Sequence, residues 1–293
     1  MNRFIYLTIY LSLLIACTEA PELNVPVPEP KICMSGFLST DTAVVFLYKN
    51  EYILSDHDFN NKEDITLLKP SDIKIYENGL LFASLTPYKN EYYTYYSISK
   101  KPTEGNIYSI DVSVDGYPDV SANTTIPKTV PIISVDTIHY LRDGYPYVLC
   151  TINFQDPENI DNYYYFEAQA KSYGDLYYGS SSILTDDPIV EEKIEFGAGQ
   201  ILFTDRNING HKYGLKVSVS VNDFHWSDLN FVLNSVSEEF YLHFKSYVHY
   251  DIAKKDEFSE PVLIYSNIDN GLGIFAGYSS SVYSFYGDSI SNN

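Results

Sequence analysis

The sequence predicts a mainly β chain of two β-sandwich-like domains, the first immunoglobulin-like and the second carrying one amphipathic helix. Three observations predict it. Tyrosine occurs 29 times in 293 residues, against one Trp and two Met, and tyrosine with β-branched residues favours strands. Short alternating runs are punctuated by Asn78-Gly79 and Asp115-Gly116, dipeptides that tolerate the positive φ of tight turns. Helical periodicity is scarce and surfaces in one stretch after Ser235.

The first element is not part of either domain. Asn2-Arg3 gives a polar start, and Phe4 to Ala16 is an apolar run far too short to span a bilayer. It closes on Leu14-Ile15-Ala16-Cys17. Residues 1–16 therefore read as a secretory signal, and the closing residues resemble the lipobox of bacterial lipoproteins. That resemblance implies a diacylglycerol on Cys17, palmitate among its acyl chains, and Cys17 as the first residue of the mature chain. The plainer alternative is a cleaved signal with an incidental cysteine. Residues 17–30 read as a tether, since Pro21, Pro26, Pro28 and Pro30 favour an extended, semi-rigid chain. Glu19 and Glu22 are similar to the acidic surface-export signal of Bacteroidota lipoproteins, and no Asp follows Cys17 to retain it in the inner membrane.

Residues 31–127 read as the immunoglobulin-like sandwich. Thr42 to Tyr48 is an apolar, β-branched strand. Asp72 to Glu77 and Leu80 to Leu85 flank Asn78-Gly79, and Ile107 to Val114 and Tyr117 to Thr125 flank Asp115-Gly116. In the third of these, Ile110, Val112 and Val114 alternate with Ser109, Asp111 and Ser113, so one face is buried and one is wet. Pro127 and Pro131 mark the boundary.

Residues 128–293 read as a second β-rich domain. Its strands are Ile132 to Leu141, Tyr147 to Phe154 after the Arg142-Asp143-Gly144 turn, Asn162 to Ala170, and Lys212 to Val221. Ser235 and Glu238 have the spacing of a capping box, and Phe240, Phe244, Tyr247 and Val248 follow at helical intervals. That stripe is expected to pack on the sheet. Pro261 to Tyr265 and Ile274 to Tyr278 read as closing strands around Asn270-Gly271-Leu272-Gly273.

Charge narrows the partners. A formal net charge of −20, from 39 acidic and 19 basic residues, repels phosphate backbones and argues against nucleic acid. No second apolar run approaches membrane-spanning length, so lipid on Cys17 is the expected anchor. Cys33 and Cys150 could bridge outside the cytoplasm, but each sits in an apolar strand-like run where a buried free thiol acts as a small hydrophobe.

Catalytic and metal motifs are not found. The six histidines have no paired spacing. Asp56-His57-Asp58-Phe59-Asn60 starts like a calcium loop, yet Asn61 stands where Gly is needed and Leu67 where a bidentate Glu is needed. Gly277-Tyr278-Ser279-Ser280-Ser281 lacks the final Gly of a nucleophile elbow. No catalytic residue, cofactor or metal set is therefore assigned. The tyrosine clusters at 92–96, 163–165 and 177–178 are the interesting remainder. Adjacent strand residues face opposite sides, so some rings fill the core while others, among Tyr92, Tyr95, Tyr163 and Tyr177, are free to stack on sugars or pack on a partner.

The chain resembles the Bacteroidota outer-membrane lipoproteins known as domain of unknown function forty-two forty-nine. The residues that carry this are Phe154-Gln155-Asp156-Pro157 with Asn162-Tyr163-Tyr164-Tyr165, Ser235-Val236-Ser237-Glu238-Glu239-Phe240-Tyr241, Phe258-Ser259-Glu260-Pro261, Asn267 to Phe275, and Gly277-Tyr278. The chain departs from it at Ser39-Thr40-Asp41, where members usually have a Gly/Pro-rich turn. The resemblance implies a β-rich, two-domain, surface-exposed lipoprotein encoded beside a TonB-dependent transporter, with no established catalytic residues. The expectation is an accessory binding subunit of such a β-barrel in substrate capture or uptake, with Tyr92, Tyr95, Tyr163, Tyr177, Asn270 and Gly271 as contacts. The alternatives are a structural or adhesive surface lipoprotein and, more remotely, a hydrolase of unrecognised type.

Overall fold

Alternation decides the faces of nearly every strand. A computed structural model describes residues 29–50, 68–89, 94–98, 100–171, 178–180, 182–194, 199–220, 229–256 and 258–285. All but Glu29 belong to one compact unit, Pro30–Glu51 with Asp56–Asn293. Residues 1–28 with Cys17, the loop at Asp56 to Asn60, Tyr92 and Tyr177 lie outside the described residues.

The unit is mainly β. A ten-stranded sheet runs in the order β14 (Val190–Ile194), β15 (Gln200–Thr204), β11 (Tyr163–Lys171), β17 (Leu229–Val236), β18 (Leu272–Phe285), β1 (Ile32–Ser39), β2 (Ala43–Lys49), β6 (Thr94–Ser97) and β5 (Thr86–Lys89), with β12 (Tyr178–Ser180) beside β11. One four-stranded sheet is β4 (Leu80–Ser84), β3 (Asp72–Glu77), β7 (Ile107–Ser113) and β8 (Val120–Thr125). Another is β13 (Ile183–Leu184), β16 (Lys212–Ser220), β10 (Tyr145–Gln155) and β9 (Ile132–Arg142).

Each short sheet covers part of one face of the long sheet, giving two sandwich-like cores. Met34, Leu38, Val45 and Phe275 meet Ile73, Ile75, Tyr108, Ile110 and Val112 in the first. Tyr164, Phe166, Phe203 and Phe231 meet Val148, Ile152, Phe154, Leu215 and Val217 in the second. The opposite face of the long sheet is covered by helix α1 (Glu238–Ala253), through Phe240, Tyr241 and Val248 against Ile274, Ala276 and Leu202. The tyrosine triplet shows the alternation directly: Tyr164 is fully buried in the second core, while Tyr163 and Tyr165 turn to the helix side.

Local signals hold in most places and fail in three. Asn78 and Gly79 both have positive φ (49° and 82°), the geometry of a two-residue hairpin. At Asp115-Gly116 only Gly116 does (φ 84°), and the turn closes by Tyr117 N donating to Val114 O (3.1 Å). Its return strand therefore starts later, at Val120. The helix cap is Ser237, not Ser235: Ser237 Oγ accepts from Phe240 N (3.4 Å). Ser235 still belongs to β17, where its hydroxyl accepts the Val130 amide (3.2 Å). Pro261 to Tyr265 is irregular rather than a strand. Tyr265 is clipped to the helix instead, its N donating to Ser246 Oγ (2.8 Å) and its O accepting from His243 Nδ1 (2.7 Å). Cys33 and Cys150 lie on different sheets as free, buried thiols, which burial pushes up to about 11 and about 12.

The helix is held by one charged cluster. Glu191 accepts from Thr204 Oγ1 (2.5 Å), Tyr241 Oη (2.5 Å) and Lys245 Nζ (3.0 Å). Desolvation raises its carboxyl, but those donors outweigh it and hold the group at about 2 against an ordinary 4.5. A carboxyl held below its unfolded pKa stabilises the fold above that unfolded value, and the contribution disappears as pH falls through the folded value. Glu191→Gln is thus expected to lower stability by about 2 kcal/mol at neutral pH. In urea titrations the gap to wild type should narrow as pH falls from 4.5 towards 2, and a gap that stays constant would show that Glu191 is not the linked group.

Gly277 sets the closest approach between β18 and β8. A Cβ there would stand 2.0 Å from the backbone oxygen of Thr125, which no rotamer change can relieve. Gly277→Ala should cost about 3 kcal/mol or more, read as a lower urea midpoint. A change within about 0.5 kcal/mol, as for ordinary surface positions, would contradict this packing.

Candidate functional site

Sheet β9–β10–β16–β13 has one face in the second core and one outside. Val148, Cys150 and Ile152 of β10, and Leu215, Val217 and Val219 of β16, point inward. The pleat then sends Leu149, Gly214, Lys216 and Ser218 outward, where they join Tyr140 and Arg142 of β9. These residues floor a groove of about 770 Å³. Gly214 keeps the floor low: a Cβ there would lie 2.7 Å from Thr151 Cγ2 and 3.0 Å from Asn153 Oδ1.

The far wall is β13 and the turn Thr185 to Pro188, with Lys193 behind it. Asp187 pins this wall. Its Oδ1 accepts from Tyr213 Oη (2.6 Å) and Ile189 N (3.2 Å), and its Oδ2 accepts from Lys216 N (2.9 Å). Thr185 Oγ1 donates to Lys216 O (2.7 Å) and accepts from Asp187 N (3.1 Å). Burial and the bond to Asp187 push the Tyr213 phenol above its ordinary value. Lys193 Nζ donates to Thr185 O (2.5 Å).

Both oxygens of the buried Asp187 are thus engaged, and the wall is a fixed structure. Two cations are not engaged: the Arg142 guanidinium and the Lys216 ammonium meet no hydrogen-bond or ion-pair partner among the described residues. Tyr140 lies against Tyr147 with centroids 5.9 Å apart. The arrangement offers a ring surface, hydroxyls and free positive charge, which is the chemistry of a binding groove.

A smaller aromatic cleft of about 230 Å³ opens beside α1, lined by Phe37, Tyr165, Phe240, Phe244 and Tyr278 over Glu167 and Asn234. Its rings close on one another (Phe240 to Phe244 4.5 Å, Tyr165 to Phe240 5.5 Å). It is the seam where the helix meets the sheet.

Three of the contact residues expected from sequence lie away from the groove. Tyr163 lies under α1, its ring 5.1 Å from Tyr241, and burial with Glu238 nearby pushes it up to about 12. Asn270 takes the positive φ of a turn (59°) and donates its side-chain amide to Asp119 O (3.3 Å). Gly271 is packed so that a Cβ would meet Ile268 Cγ2 and Ile32 O at 2.8 Å. None of these three lines the groove. Tyr95 is described in its backbone alone, opposite Tyr88. Among the described residues no group of three or more His, Cys, Asp or Glu could hold a metal ion. No helix among them is long and apolar enough to cross a membrane.

Comparison with known proteins places the chain. The model of the family described as "Domain of unknown function (DUF4249)" matches residues 18–284. The chain belongs to that family. No curated protein matches this chain. Among solved structures, the "Complete structure of manganese lipoxygenase of Gaeumannomyces graminis and partial structure of zonadhesin of Komagataella pastoris" aligns over 89% of this chain and 94% of that one, at 8% identity. Its TM-score of 0.19 gives it no weight for fold or function.

The geometry separates structural from functional positions at the groove. Asp187→Ala should cost about 2–4 kcal/mol, because it strands the Tyr213 hydroxyl and the Lys216 amide. Arg142→Ala and Lys216→Ala should each stay within about 0.5 kcal/mol of wild type. Thermal or urea unfolding of the three variants checks this, and a large loss for Arg142→Ala would mean that the guanidinium is structural.

Proposed function

We propose that this DUF4249 protein is an outer-membrane, surface-exposed lipoprotein, anchored through acylated Cys17, that works as an accessory binding subunit of a TonB-dependent transporter. It captures substrate and passes it on, acting by binding and not by turnover. The observation that carries the binding part is the groove beside Tyr140, with Arg142 and Lys216 unpaired among the described residues and the buried Asp187 committed to its own wall. Open ring and cation surface on a rigid sheet suits recognition. A buried carboxylate with both oxygens accepting hydrogen bonds from its own wall is a poor general base.

The anchoring part is supported by Leu14-Ile15-Ala16-Cys17 and the proline-rich stretch after it. Between Cys17 and the start of β1 at Ile32 stand Pro21, Pro26, Pro28 and Pro30, a composition suited to a spacer between an anchor and a folded unit.

The reading is tested by purifying the tagged, full-length protein in mild detergent from its own outer membrane. A single TonB-dependent β-barrel with its plug domain should accompany it in near-equal amount. Intact mass should show a chain beginning at an acylated Cys17, and Cys17→Ala should leave the protein soluble and without the barrel. Recovery of the lipidated protein alone would defeat the transporter partnership, and an unacylated chain would defeat the anchor.

A further inference from the structure

The groove over β9, β10, β16 and β13 joins two features whose combination specifies a ligand. The first is charge. In a chain with twice as many acidic as basic residues (39 against 19), three cations converge on one concavity, Arg142, Lys193 and Lys216, against Asp186 and Asp187. Lys193 is bound to the Thr185 carbonyl and Asp187 to its wall. What remains available to a visitor is net positive: Arg142, whose planar fork matches a carboxylate bidentately, and Lys216 as a second point charge, against the one exposed carboxylate of Asp186.

The second is the floor. Three strands, β9, β10 and β16, about 4.8 Å apart make a surface about 10 Å across that runs on along their length, bounded on one side by the β13 wall. Tyr140 and the outward side of Leu149 provide flat apolar area, Ser218 lies beside them, and Gly214 keeps the floor open. An extended peptide is held chiefly by main-chain bonding to a sheet edge. The groove presents a sheet face, so it lacks that ladder.

We propose that the groove binds an acidic oligosaccharide, a run of hydroxylated rings bearing carboxylates. The rings lie over Tyr140 and Leu149, the carboxylates on Arg142 and Lys216. The net charge of −20 opposes an anion at long range. Screening over about 8 Å at physiological salt limits that repulsion and leaves the nearby cations to decide.

The inference rests on the groove as the capture site, but its measurement needs no transporter. Titration calorimetry on the full-length, detergent-solubilised protein would use hexagalacturonate, neutral maltohexaose and hexaglutamate as probes. Hexagalacturonate should bind, and weaken on going from about 0.15 M to about 1 M salt. The Arg142→Ala/Lys216→Ala double variant should lose at least about tenfold in affinity, and Tyr140→Ala should also lose affinity. Hexaglutamate bound as tightly would overturn the sugar assignment. Maltohexaose bound as tightly and through Tyr140 would overturn the acidic class while leaving capture at the groove intact. No binding of any probe, or variants that bind like wild type, would overturn the proposal at this site whatever barrel is recovered.

Discussion

The placement of β18 is the constraint on which the rest depends. This strand pairs in parallel with β1 from the beginning of the unit and antiparallel with β17 from its second half. It lies at the centre of the long sheet and contributes Phe275 to the first core and Ile274 and Ala276 to the helix face. Its close approach to β8 works only because Gly277 has no side chain. There the Gly277 amide donates to Thr124 Oγ1 (2.9 Å) and its carbonyl accepts from Ser237 N (2.9 Å). One peptide thus ties the edge of a short sheet, the middle of the long sheet and the start of α1. Long-range pairing of this kind carries its loop-closure cost before its contacts form.

Around that strand, several polar groups are satisfied by partners elsewhere in the chain, while the buried Ser279 hydroxyl, on the strand itself, meets none among the described residues. Asn267 accepts from Phe275 N (2.9 Å) and donates to Phe275 O (2.8 Å) and Asn123 O (3.1 Å), closing the loop before β18. Asp156 accepts from Tyr164 Oη (2.5 Å) and Gly210 N (2.9 Å), closing the end of β10 onto β11. Ile132 N donates to Ser281 Oγ (2.9 Å), which fixes the start of β9. An unmet buried donor costs more than a formed bond contributes, so these contacts select one arrangement among many of similar apolar area.

Much of the fold was legible because alternation and turn chemistry are local. Asn78-Gly79 sits in a hairpin because both residues can take positive φ, and Leu215, Val217 and Val219 are buried because the pleat has a period of two. Two of the three misreadings share a cause, competition from partners elsewhere in the chain, while the turn at Asp115-Gly116 is closed locally by Tyr117 N donating to Val114 O. The capping-box spacing in the sequence points to Ser235. β17 continues through Val236 to pair with Tyr163 and Tyr278, which leaves Ser237 to start the helix. Pro261 to Tyr265 has the apolar content of a strand, yet His243 and Ser246 take up the backbone groups of Tyr265. The groove was not legible at all. Tyr140, Arg142, Lys193 and Lys216 come from three strands on both sides of a long connection, and none stands in a motif.

The residues that carry the family resemblance and the residues that line the groove are different sets, and physics explains why. Phe154, Asp156 and Tyr164 pack and hydrogen-bond with one another. Ser237 caps the helix, Asn267 closes a loop, and Gly273 and Gly277 permit backbone contacts at which a Cβ would stand 2.0 Å from a neighbouring oxygen. Each has few substitutes, because each answers a demand of geometry that no other side chain meets. The outward residues of β9 and β16 answer no such demand. Arg142 and Lys216 can change without disturbing the core, because the pleat points them away from it. A scaffold recognisable from its packing residues can therefore carry different outer faces, so membership of the family fixes the packing and leaves the surface of that four-stranded sheet open to vary.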